Sequence, residues 1–243
     1  MDEWLLIFLI FITAILYSAV GHAGASGYLA VMALLGVAQS QMRPAALILN
    51  IIVATIGTIR FYRAGLFSWQ LFLPFTVASI PFAWLGGYLN LPSNVYRPVI
   101  GIILLLSATK LVSANRIVVA EEKQPVPLPL AAISGAVIGL LAGLTGIGGG
   151  IFLSPLLSLM RWAETRETSA VSIAFVLCNS LFGLIGLLST VHSLPIGIFT
   201  WAFAVVVGAV IGTELGSRRL STRTLRRILA MVLVIAGLKM IFT

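Results

Sequence analysis

Charge is what this sequence has least of. Asp, Glu, Lys and Arg make up 9 % of its 243 residues, where a soluble domain carries about 25 %. So little charge excludes a water-soluble globular enzyme. Cysteine is scarcer still: Cys178 stands alone, which excludes a disulfide scaffold or a cysteine-ligated metal and leaves packing as its role. Only seven acids are present against fifteen bases, for a net charge of +8. The basic residues lie in loops between apolar runs, where they fix orientation in a membrane. The positive balance is thus read as membrane orientation, and no nucleic-acid partner is expected.

What remains is apolar. Hydrophobic residues make up 60 % of the chain and mean hydropathy is +1.11. Residues 4–42, 64–96 and 168–213 contain no Asp, Glu, Lys or Arg, and each run exceeds the roughly 20 residues that span a bilayer. The fold class is therefore an all-α polytopic membrane protein, with the lipid bilayer as its first partner. Met1-Asp2-Glu3 is acidic where a signal peptide is basic, so residues 4–20 are expected to stay as a first span.

Glycine interrupts this apolar material twice. Residues 141–150 read LAGLTGIGGG, inside a stretch, 124–160, free of charged residues. Glycine weakens a helix by roughly 0.5–1 kcal/mol per residue relative to alanine, so the run predicts a break at 145–150 between helices at 130–144 and 151–160. Residues 21–27, GHAGASG, predict a second break between helices at 4–20 and 28–37. Other spans are expected at 43–60, 67–89, 96–112, 168–188, 196–216 and 225–242, with tryptophans near their ends as interfacial belt residues. Residues 115–129 form a proline-bearing polar linker.

On either side of that linker the same parts come in the same order. Gly57 and Gly183, Gly86 and Gly212, Leu89 and Leu215, and Arg97 and Arg223 pair at one spacing, 126 residues; Gly21 and Gly146 pair at 125. The expectation is one transmembrane domain over 1–243, built of repeat 1 (1–119) and repeat 2 (128–243), each a glycine-broken helical hairpin plus three transmembrane helices. If each broken pair is one crossing, alternate sides collect nine and six of the fifteen bases. If it enters and returns, only Arg43, Arg97 and Lys239 stay on one side and twelve fall on the other. The positive-inside rule prefers the second partition. Each repeat then crosses an odd number of times, the repeats are inverted, and both termini face outside. In that architecture substrate binds near the midplane at discontinuous helices, where the two breaks would meet.

A broken backbone in hydrocarbon survives only inside protein or beside a water-filled cavity. The helix restarting after it presents bare amides and a positive dipole end, which suits an anion. The candidate substrate-binding residues are Gly21, His22, Gly24, Ser26, Gly27, Asn50, Thr145, Gly146, Gly148, Gly149, Gly150, Ser172 and Asn179. Asn50 and Asn179 lie mid-span, each able to donate two hydrogen bonds to an oxyanion. His22 is the one acid, base or histidine in residues 4–42, and is the candidate carrier of a coupling proton. No catalytic residue, cofactor or metal is implied. Two other readings use the same residues. GASG at 24–27 matches the G-x-S-G signature of intramembrane serine proteases, with Ser26 as nucleophile, and a passive anion channel would also need the breaks.

The arrangement resembles the TauE/SafE family of sulfite and sulfonate transporters over nearly the whole chain. TGIGGGIFLSPLL (145–157) carries the likeness most strongly, followed by SAVSIAFVLCNSLFGLIG (169–186). The first half departs from it: VGHAGASGYLAV (20–31) has His22, Ala23 and Ala25 where such proteins carry more glycine. The resemblance implies alternating-access transport of sulfite, sulfonates or related small organic anions across a bacterial inner membrane.

Overall fold

The computed structural model describes residues 3–20, 23–113, 124–191, 194–195, 197–218 and 222–242. Among them there are helices and no strands: α1 (Glu3–Val20), α2 (Ala25–Leu34), α3 (Gln39–Arg63), α4 (Trp69–Tyr88), α5 (Ser93–Ser113), α6 (Leu128–Thr145), α7 (Gly150–Leu159), α8 (Thr165–Leu188), α9 (Ile198–Arg218) and α10 (Thr222–Phe242). α3, α4, α5, α6 and α8 are each long and apolar enough to cross a membrane; α1, α2, α7 and α9 offer shorter apolar stretches. The chain is a multi-pass membrane protein. The first five helices have 18, 10, 25, 20 and 21 residues and the second five 18, 10, 24, 21 and 21.

Two compact units form. One holds α1, α2, α5, α9, α10 and α3 up to Val53; the other holds α4, α6, α7, α8 and α3 from Ala54. In the first, α1 packs along α9, α5 along α10, and α2 against α1 and α10. In the second, α4 lies against both α6 and α8, and α7 against α8. The second unit's core gathers Phe72, Phe75, Leu153, Leu157, Trp162 and Phe175.

Lipid tails are as apolar as leucine, so helices in a bilayer associate through close packing rather than through the hydrophobic effect. Accordingly Ile133, Val137, Phe199, Phe203 and Met231 face outward, while small residues line the seams. Gly135, Gly139 and Gly143 of α6 are stacked, one per turn, on the backbones of Phe75, Ser79 and Ala83 of α4. Gly87 lies on Gly183 of α8, and Gly186 on Trp84. In the first unit Gly212 of α9 meets the carbonyl of Ile15 on α1, and Gly101 of α5 that of Gly237 on α10. At the α6 positions a single Cβ would collide with a carbonyl oxygen of α4, an atom that cannot move without moving the helix.

Several boundaries differ from the expectation: α3 runs from Gln39 to Arg63, α8 starts at Thr165 and α10 at Thr222, and the differences beside the breaks bear on the site. α2 begins at Ala25 and α7 at Gly150, so Ser26, Gly27 and Gly150 sit in the first turn of a helix instead of in the break. α2 also stops at Leu34, because Gly36 (φ 72°) lets the Val37 amide bond back to the Met32 carbonyl, closing the last turn as a left-handed cap. Trp162 and Trp201 are buried, Trp162 against Phe75 with ring centroids 5.9 Å apart; Trp4 and Trp69 do face outward.

The α6 seam yields a stability test. Overpacking costs about 1–3 kcal/mol, so Gly139→Ala should lower the melting temperature in detergent markedly. Val137→Leu, on the outward face of the same helix, should leave it unchanged.

Candidate functional site

In the second unit the site starts where α6 ends. Thr145 is wholly buried and its hydroxyl donates to the Leu141 carbonyl at 2.6 Å, which completes the last turn. The chain then breaks through Gly146 (φ 81°), Gly148 (φ 81°) and Gly149 (φ 84°). Successive left-handed residues rule out helix and cost a side-chain-bearing residue about 1 kcal/mol or more each. Gly149 caps α7, with its carbonyl accepting from the amides of Phe152 and Leu153 at 3.0 and 3.1 Å. The hairpin closes on itself: beyond α7, the Arg161 carbonyl accepts from the amide of Gln124, just ahead of α6, at 3.0 Å. The broken pair therefore doubles back on itself.

α7 lies antiparallel to α8. Ser154, one turn into α7, donates to the Gly150 carbonyl at 2.6 Å and pairs with the Ser172 hydroxyl at 3.1 Å. At the start of α7, Gly150 backs onto Val176, so close that a Cβ would stand 2.6 Å from the Val176 methyl. Moving from Ser172 to Val176 on α8 is thus moving towards the mouth of α7. Asn179 is the next residue on that face, about 4.5 Å further along the axis, level with the glycine break. It has no exposed surface, and neither its Nδ2 nor its Oδ1 has a hydrogen-bond partner. Thr168, one turn before Ser172, is buried with its hydroxyl unpartnered.

Burying an amide without partners costs about 1–3 kcal/mol by mutational measure. Together the parts offer the amides of a helix N-terminus, its positive dipole end and a side-chain amide. That set can hold an oxyanion without a formal positive charge.

The first unit has its own break. Gly24 (φ 81°, ψ −3°) caps α2 in almost the conformation Gly149 adopts (φ 84°, ψ −14°). α2 folds back along α1, since Gly27 is pressed on Thr13 and Tyr17. The Ser26 hydroxyl is hydrogen-bonded to that of Tyr17 at 2.8 Å, both buried. Gly21 and His22 lie outside the described residues. Asn50 is wholly buried in α3 and has a polar interaction of its own.

The structure thus groups Thr145, Gly146, Gly148, Gly149, Gly150, Ser172 and Asn179 in the second unit, and Gly24, Ser26 and Gly27 in the first. Sequence reasoning missed Ser154, one turn beyond Gly150, and the tyrosines at 17 and 28. Tyr28 sits four residues beyond Gly24 on the helix that glycine starts, a readable signal.

Asn179 gives a test that needs no ligand. Asn179→Leu keeps the shape and removes the unpartnered amide, so it should raise the melting temperature of the substrate-free protein, by about 1–3 kcal/mol of stability.

Comparison with known proteins agrees with the transporter-like architecture. A family model described as "Sulfite exporter TauE/SafE" matches residues 6–240. A "probable membrane transporter protein" of Sinorhizobium fredii is 42 % identical over 236 residues, 96 % of this chain and 95 % of that protein. A second "probable membrane transporter protein", from Methanocaldococcus jannaschii, is 25 % identical over 199 residues, 76 % of this chain and 73 % of the relative. No solved structure matches. With nearly its full length matched, the chain belongs to the TauE/SafE family of membrane transporters.

Proposed function

We propose that this protein is a secondary transporter of small anions, with sulfite, sulfonates or related organic anions as substrates, working by alternating access in the bacterial inner membrane. One observation carries the reading: the fully buried Asn179 amide, with no hydrogen-bond partner, one turn of α8 beyond Val176, which packs on the Gly150 start of α7. In an apolar bundle such a group is retained against its cost, and an oxyanion would supply its missing acceptor. Gly148, Gly149 and Gly150 let backbone amides approach the ligand, while Ser172 and Ser154 extend the polar face. Gly24, Ser26 and Gly27 open α2 in the same way.

The binding set is uncharged by design. A lysine or arginine in hydrocarbon would hold an anion tightly and be costly when empty. Amide donors select by geometry and release more readily, which a carrier needs on both faces of its cycle.

A duplication underlies the architecture in this reading. Gly86 meets the Leu140 carbonyl in one unit and Gly212 the Ile15 carbonyl in the other, and both residues of the first pair have their sequence counterparts in the second. With each hairpin entering and returning, the charge partition makes the repeats inverted and puts both termini outside.

Uptake by proteoliposomes tests the function. Wild type should accumulate radiolabelled sulfite or a sulfonate saturably, and Asn179→Leu should reduce it at least about tenfold. Linear, non-saturating flux would make it a channel instead. If His22 carries a coupling proton, His22→Ala should flatten the pH profile of uptake; superimposable profiles would remove it from the mechanism. Reporter fusions at each terminus should both be active only outside the cytoplasm.

A further inference from the structure

We propose that Tyr28 contacts the transported anion, its phenol hydroxyl donating to an oxyanion at the start of α2. This rests on the anion-transport reading above and goes beyond it by naming a residue and a donor chemistry.

Tyr28 has no exposed surface and its hydroxyl has no hydrogen-bond partner. Buried tyrosines normally find one. The side chain of a helical residue leans towards the helix N-terminus, and here it leans a full turn. A Cβ placed on Gly24 would stand 2.9 Å from Tyr28 Oη, so the hydroxyl lies at the N-cap of a ten-residue helix. An unpartnered O–H therefore ends where the helix dipole is most positive. It also explains why residue 24 must be glycine twice over, for its φ of 81° and for the room the phenol takes.

A second hydroxyl proton is available beside it. Tyr17 and Ser26 share one hydrogen bond at 2.8 Å, which commits the proton of whichever donates and leaves the other hydroxyl's proton outside that bond. Ser26 lies in the same first turn as Ala25 and Gly27. The site thus offers hydroxyl protons and helix-start amides, and, apart from Glu3 at the far end of α1, no ionised side chain on either helix. Donors with no acid nearby fit a ligand that brings only acceptors: a small fully deprotonated oxyanion, a sulfonate above all. A carboxylate presents two such oxygens and a sulfonate three, and the three-oxygen group answers more of the donors.

The test is binding by the full-length protein in detergent, read as the rise of melting temperature with ligand concentration. The probes are methanesulfonate, sulfite, acetate and inorganic phosphate, against wild type, Tyr28→Phe and Asn179→Leu. Tyr28→Phe removes one oxygen that makes no hydrogen bond to the protein, so the ligand-free protein should melt at or above wild type. Its affinity for methanesulfonate should fall about tenfold or more. Unchanged affinity in Tyr28→Phe with loss in Asn179→Leu would overturn the tyrosine site and leave the transport reading standing. A ligand-free Tyr28→Phe that melts well below wild type would show the hydroxyl to be structural and overturn it too. Wild type that binds none of the four would bring down both.

Discussion

Inside a bilayer no water is available to an exposed peptide group, and every N–H and C=O must be satisfied by the protein or by what it binds. This constraint separates the chain's glycines into two kinds. Those at 135, 139 and 143 on α6 sit within an unbroken helix, where all backbone bonds are already made, and they let α6 lie on the carbonyl side of α4. Those at 24, 146, 148 and 149 take left-handed angles and undo the helix. The first kind binds the bundle together where hydrophobicity cannot. The second kind opens backbone, which persists only where protein or a bound ligand satisfies it.

How far this was readable in the sequence depended on how local the cause was. The break at α6–α7 was located to within a residue, because three successive glycines in an apolar run leave little else to form. The two helices flanking that break were also expected to form a hairpin, and the contact between Gln124 and Arg161 shows α6 and α7 doubling back. The start of α2 was set too late, because Ser26 and Gly27 look like break residues. In the fold one reaches Tyr17 and the other is pressed against Thr13. Both are requirements of packing between α1 and α2, which no window along one helix contains. For the same reason Trp162 was placed at the membrane interface when it fills a gap beside Phe75.

The polar side chains show the same limit more sharply. Asn50 and Asn179 look alike in sequence, mid-span amides in apolar helices. In the structure both are wholly buried, but Asn179 has both amide atoms without partners, whereas Asn50 has an interaction of its own. Whether a buried donor is satisfied depends on atoms from other helices, so residue type alone cannot separate a polar group that glues helices from one that waits for a ligand. Tyr28 escaped notice for a related reason: its spacing from Gly24 is visible in the sequence, but that its hydroxyl lacks a partner at the Gly24 cap is visible only in the fold.

A carrier's substrate site must be poor enough to empty, and unpartnered neutral donors meet that demand in a way fixed charges do not. An empty site containing a lysine would cost several kcal/mol in a medium of low dielectric, and the protein would either recruit a counter-ion or deprotonate. A buried asparagine amide or phenol left without a partner costs about 1–3 kcal/mol, within the stability of an ordinary fold. The bound anion recovers that cost, and no more than a few hydrogen bonds hold it. The scarcity of charge throughout this sequence, which first marks it as a membrane protein, is on this argument also the condition under which its binding groups can release what they take.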